Sequence, residues 1–183
     1  MVYNEVYLID ELRTVAQNTR AALDLQTLTY IFAPVDEIEH EIATLNKNGT
    51  QADYIYPLVA VATDIQENKG TSSGVYSVVT VPQIIFAVRT NKDYPAKQRY
   101  ERSIKQILQP VYSEFINQIH RTGLFRTQSR ELIPHTKTDR MSWGKFQTWS
   151  ENQKSVDYID AIEVNNLELV IIRNNCSPKK TYL

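Results

Sequence analysis

The sequence predicts an α+β domain: a mixed, mainly antiparallel sheet with amphipathic helices packed on it. Two apolar runs, Ile55 to Ile65 and Tyr76 to Arg89, have the length and the valine and isoleucine content of strands. Only the polar, glycine-containing connector Gln66 to Gly74 separates them, which suits a hairpin. From Tyr100 to Ile119, apolar residues recur at spacings of three and four, the period of a long amphipathic helix. Strands joined both directly and through helices make the sheet mixed.

Residues 4–23 read as the first helix, with Val6, Leu8, Ile9, Leu12, Val15 and Ala16 on one side. Gln26 to Ala33 carries Thr, Tyr, Ile and Phe and stops at Pro34, which reads as a strand closed by a turn. Asp36, with Glu39 three residues on, reads as the N-cap of a short helix whose stripe is Ile38, Ile42 and Leu45 and which Gly49 ends. In the two apolar runs, residues of both parities are apolar, so both faces are expected to be covered by helices or by a neighbouring subunit. Pro82 has no N–H for a ladder and predicts a bulge or an edge position.

Pro95 suits the first turn of the long helix, whereas Pro110 lies inside its stripe and predicts a bend. That stripe is Tyr100, Ile104, Ile107, Leu108, Val111, Tyr112, Phe115, Ile116 and Ile119, each contributing roughly 1.5–3 kcal/mol when buried. Thr122 to Asp157 is the least periodic stretch, with Glu131 to Met141 as a strand candidate inside it. Tyr158 to Arg173 reads as the last strand, broken by a bulge or turn at Asn165-Asn166. The organisation expected is a single domain over residues 1–175, with a long polar insertion near 122–157 and a loose C-terminal tail at 176–183.

At 183 residues, with 42% hydrophobic and 22% charged, the composition is that of a soluble globular domain, and no apolar run is long enough to span a bilayer. Glu5, Asp10, Glu11 and Arg13 interrupt any leader-like region, so synthesis in the cytosol is expected. A single cysteine, Cys176, excludes an internal disulfide. Net charge is only −1, but it is unevenly spread. Residues 1–96 hold 6 basic and 12 acidic side chains, residues 97–145 hold 10 basic and 4 acidic, and the remainder 4 basic and 5 acidic. A charge dipole in sequence that becomes one in space lets one copy dock on the next, the arrangement rings and filaments require. A nucleic-acid surface is the competing explanation, weakened by a pI near 6.3.

Lys97, Arg99, Arg102 and Lys105 stand at the positive end of the long helix's dipole, opposed only by Glu101, where basic residues cost a few tenths to about 1 kcal/mol each. Aromatic residues among cations mark interface hot spots, and Trp143 and Trp149 stand among Arg126, Arg130, Lys137, Arg140 and Lys145. The expected oligomer interface is therefore Lys97, Arg99, Arg102, Lys105, Trp143 and Trp149. Reversing charge at Arg99 and Arg102 together is expected to weaken assembly and leave the monomer folded.

No catalytic or metal-binding constellation emerges. His40, His120 and His135 lie far apart in sequence, and none has a second ligand at metal-binding spacing. Gly70 to Gly74 is not a phosphate loop, and Ser72 and Ser73 have no neighbouring base. Alternation places Asp157 and Glu163 on one face of the last strand and Asp160 on the other, which reads as solvated edge charge.

The block Tyr54 to Ile119, with its Y-I-Y-P-L-V-A-V-A-T-D strand, polar hairpin, V-P-Q-I-I-F-A-V-R-T-N strand and K-Q-R-Y-E-R-S-I-K-Q-I-L-Q-P-V-Y-S-E-F helix, resembles tail-terminator and related neck proteins of tailed bacteriophages. The closing D-A-I-E-V-N-N-L-E-L-V-I, Asp160 to Ile171, is similar to the final core strand of that group. The resemblance implies a virion subunit, made in the host cytoplasm, that forms an oligomeric ring between portal and tail. Its partners would be copies of itself and neighbouring portal, adaptor or tail proteins, with no cofactor, no catalysis and no membrane; contact with packaged DNA in the channel stays open. Two alternatives stand beside it: a nucleic-acid-binding module using the basic face of residues 97–119, and a small enzyme with an unrecognised site.

Overall fold

The computed structural model describes residues 7–47, 55–69, 76–91, 93–125, 133–143 and 158–172. In chain order these form α1 (Leu8–Ala22), β1 (Thr29–Ala33), α2 (Val35–Lys47), β2 (Leu58–Ala62), β3 (Gln66–Lys69) and β4 (Tyr76–Thr90). Then come the long helix α3, the edge strand β5 (Thr136–Trp143) and β6 (Tyr158–Ile172). Helix α3 runs through Ala96–Arg99, a π-helical segment Tyr100–Leu108 and Gln109–Arg121.

The fold is α+β, with a six-stranded, mostly antiparallel sheet and three helices on it. The strand order is β1-β2-β4-β6-β5, with β3 also pairing β4. Only β1 and β2 run parallel, joined by a crossover through α2; every other pairing is antiparallel. Helices α1 and α3 cover one face of the sheet, burying Leu12, Val15, Ile104, Leu108, Val111 and Phe115 against Val59, Phe86 and Ile162. Phe86 meets Phe115 edge to face at 5.2 Å between ring centroids. Helix α2 lies on the other face, where Ile38 and Ile42 pack on Leu58, Ala60, Ile85 and Ala87. The expectation of two covered faces therefore holds for β2 and for Ile84 to Val88 of β4.

Several local expectations change. The connector after β2 is partly a strand: Gln66–Lys69 pairs with Ser77 to Thr80 as a short polar edge, and Gly70 to Gly74 lies outside the described residues. The carbonyl of Pro34 accepts from the N–H groups of Glu37 (2.9 Å) and Ile38 (3.1 Å), so α2 starts before Asp36, which lies inside the first turn and is not the cap. Gly49, the first six residues, Ser72, Ser73 and the expected tail at 176–183 lie outside the described residues. Within 122–157, residues 136–143 form β5 and Phe125 bridges to Ile171, so the described part of that stretch belongs to the sheet and core.

Pro82 lies neither on an edge nor at a register shift with β6. Strand β4 is interior, and its pairing with β6 keeps one register from Tyr76↔Ile172 to Thr90↔Tyr158. On the other flank the partner changes from β2 to β3 across Val81 to Gln83, so the proline stands where that ladder is interrupted. Phase is what alters. Val79 and Val81 face the α1/α3 side, then Ile84, Phe86 and Val88 do; in β6, Ile162 and Val164 are followed by Leu167, Leu169 and Ile171. Each strand carries one extra residue, Pro82 and, opposite it, Asn166 at φ 55°, so both flip together and the register survives. The irregularity expected at Asn165-Asn166 is thus present as an extra residue at Asn166, without a change of register between the strands.

Candidate functional site

The long helix decides where the predicted interface residues point. Over Tyr100–Leu108 the backbone is π-helical, and the N–H of Gln109 still bonds the carbonyl of Ile104, five residues back. The wider turn makes Arg99, Ile104 and Leu108 the inward seam and leaves Tyr100 (45% exposed) and Ile107 (37% exposed) outside the core. Two of the nine stripe residues are therefore exposed, and a third, Tyr112, is only partly buried. The α-helical geometry resumes with Pro110 in its first turn, where a missing N–H is tolerated.

Arg99 points inward. Its Nε donates to Asp160 Oδ2 at 3.2 Å, its Nη2 pairs with Asp160 Oδ1, and its Nη1 donates to Ser142 Oγ at 2.9 Å. Asp160 is fully buried and also accepts from the backbone N–H of Ser142 at 3.2 Å. Strand β5 makes this contact by shifting register between Arg140 and Trp143, with Ser142 at φ 61°. On the opposite face of the sheet, Glu163 (6% exposed) accepts from Arg140 Nε at 2.6 Å and from Trp143 Nε1 at 2.8 Å. Neither carboxylate is the solvated edge charge that the sequence suggested: β6 is interior, and each acid has a cation from residues 97–145. Asp157 lies outside the described residues.

Lys97, Arg102 and Lys105 are exposed as expected. Arg102 donates to the Tyr94 hydroxyl at 3.0 Å and lies 4.9 Å over that ring; Lys105 pairs with Glu101 at 3.0 Å. Trp143 is half-buried against the α2-side core, and Trp149 lies outside the described residues. Reversing charge at Arg99 is consequently no clean probe of assembly, because it would place a second carboxylate against buried Asp160.

Two helices on opposite faces of the sheet differ in sign. Helix α2 exposes Asp36, Glu37 and Glu41, while α3 on the opposite face exposes Lys97, Arg102 and Lys105. Sequence reasoning found the cations; it did not assign the acidic partner surface to α2.

A groove of about 430 Å³ lies between α1 and β1, lined by Arg13, Gln17, Arg20, Tyr30 and Phe32 among others. Its arginines are engaged: Arg20 donates to the carbonyls of Leu25 (3.3 Å) and Gln26 (2.7 Å), and Arg13 lies 3.5 Å from Asp10. Tyr30 donates to the carbonyl of Ile9 at 3.2 Å, and burial, with Asp10 adding and Arg13 opposing, pushes its pKa up to about 12. Elsewhere Tyr112 and His135 Nε2 are 2.7 Å apart, while His135 Nδ1 donates to the carbonyl of Ile133 at 2.6 Å. That pairing fixes the tautomer with Nε2 as acceptor. Among the described residues, no group of three His, Cys, Asp or Glu could hold a metal ion.

Set against known proteins, the chain matches no family model, no curated protein and no solved structure.

Proposed function

We propose that this chain is a structural virion subunit of a tailed bacteriophage, assembling head to tail into a closed ring in the neck or tail region between portal and tail. The observation that carries the self-assembly is the opposite sign of two helices on opposite faces of the sheet, with acidic side chains exposed on α2 and basic ones on the first turns of α3. A subunit with opposite signs on opposite sides meets the next copy through unlike surfaces, which closes into a ring or extends as a filament. The phage setting is supported by the resemblance of Tyr54 to Ile119 and Asp160 to Ile171 to tail-terminator and neck proteins. On this reading the chain works as a shaped building block beside portal, adaptor or tail proteins, without cofactor or catalysis.

The test is the mass of the purified protein by size-exclusion chromatography with light scattering, with negative-stain images of the assembled fraction. A discrete multimer that images as a ring is expected. A monomer at every concentration would remove the proposal, and steep, salt-dependent DNA binding by that monomer would favour a nucleic-acid-binding module in its place.

A further inference from the structure

We infer that the contact between copies is helix against helix: the outward face of α2 in one copy lies along the basic first turns of α3 in the next. The inference rests on the head-to-tail reading and names the two surfaces that meet. Among described side chains, the exposed positions of α2 carry Asp36, Glu37 and Glu41 and no lysine or arginine. Helix α1 also begins with acids, Asp10 and Glu11, but Arg13 and Arg20 follow on the same helix and Asp10 is already paired with Arg13. It also packs on the same sheet face as α3, so it does not present its charge on the far side of the subunit. That leaves α2 as the acidic surface opposite the cations.

The α3 side has what a helix-binding surface needs. Lys97 sits at the positive end of its own helix and Arg102 and Lys105 follow within its next two turns, a run of like charge that an approaching anionic surface relieves. Tyr100 and Ile107 flank them, large apolar side chains that the π-helical turn turns out of the core. Apolar flanks give the contact area to bury, and the charges set partner and register. Because α2 and α3 lie on opposite faces of one sheet, each copy offers both halves of the contact, and addition continues until the ring closes.

Two variants test this pairing in the full chain: Glu37→Lys with Glu41→Lys, and Arg102→Glu with Lys105→Glu. Each alone sets like charge against like charge and should lose the assembled species at concentrations where the parent is assembled, with an unchanged circular dichroism spectrum. An equimolar mixture should recover it, because in an alternating ring every contact is again between unlike helices. Should either charge reversal unfold the chain, glutamine replacements at the same positions serve, and should shift assembly to higher protein concentration while flattening its salt dependence. If the parent assembles and the folded variants do so equally well, or their mixture recovers nothing, the α2–α3 pairing is wrong and the ring reading stands. If the parent never assembles, the ring reading itself fails.

Discussion

Asp160 and Glu163 lie three residues apart on one strand, both buried, each bonded to an arginine and to a residue of β5, yet their surroundings differ. Asp160 faces the α1/α3 layer, and its partner Arg99 is itself only 8% exposed. Glu163 faces the α2 side near the sheet edge, and the side chain of its partner Arg140 is 56% exposed. When an acid is removed, the cost depends on where the abandoned cation can go. Arg140 can turn to water, whereas Arg99 is held beneath a helix.

The largest effect is therefore expected for Asp160→Ala, at about 3–5 kcal/mol in a urea denaturation, because it strands a buried guanidinium. An apolar double replacement, Arg99→Met with Asp160→Leu, should recover most of that loss, since no charge is then left in the interior; a double variant as unstable as the single one would show that the bonds to Ser142 carry the stability. Glu163→Ala is expected to cost less, about 1–3 kcal/mol, mainly through the orphaned Trp143 N–H, and should change tryptophan fluorescence where Asp160→Ala does not. Smallest is Lys105→Ala, which removes an exposed pair one turn apart and should cost about 0.3–0.5 kcal/mol at low salt and nothing measurable at high salt.

A neutral group sharpens the same comparison between sheltered and open sites. Tyr30 has its pKa raised from 10.0 to about 12 by burial, so the folded state holds this proton more tightly than the unfolded chain. Stability is then intact below pH 10 and falls as pH rises toward 12. Tyr30→Phe should remove that decline while leaving neutral-pH stability close to the parent, as thermal melts at pH 7 and pH 11 would show.

Much of the architecture was legible because its signals are local. The apolar runs, the helical spacing after Pro95 and the stop at Pro34 each follow from a few neighbouring residues, and β2, β4, β6 and α3 lie where those signals put them. The position of Arg99 was not legible. A spacing of three and four assumes α-helical turns throughout, and one π-helical stretch rotates Tyr100 and Ile107 outward and Arg99 inward. Pro110 was the available hint, since a long helix must loosen or restart where a backbone donor is missing. Asp160 and Glu163 looked solvated because charged residues in a strand usually are; their arginines are 61 and 23 residues distant in sequence, and nothing local pairs them. The groove beside β1 was equally invisible, because its lining is divided between α1 and residues 28–32.

The opposed extra residues at Pro82 and Asn166 couple the lengths of two strands far apart in the chain. Removing both would leave β4 and β6 as regularly alternating partners, with Val81 and Ile84, Val164 and Leu167 still on the helix-facing side and the ribbon one step shorter. Removing only one would leave an unmatched residue between the two strands and slide the pairing beyond it by one position. Within the β4–β6 pairing, register therefore survives shortening only as a matched double edit, at two sites more than eighty residues apart.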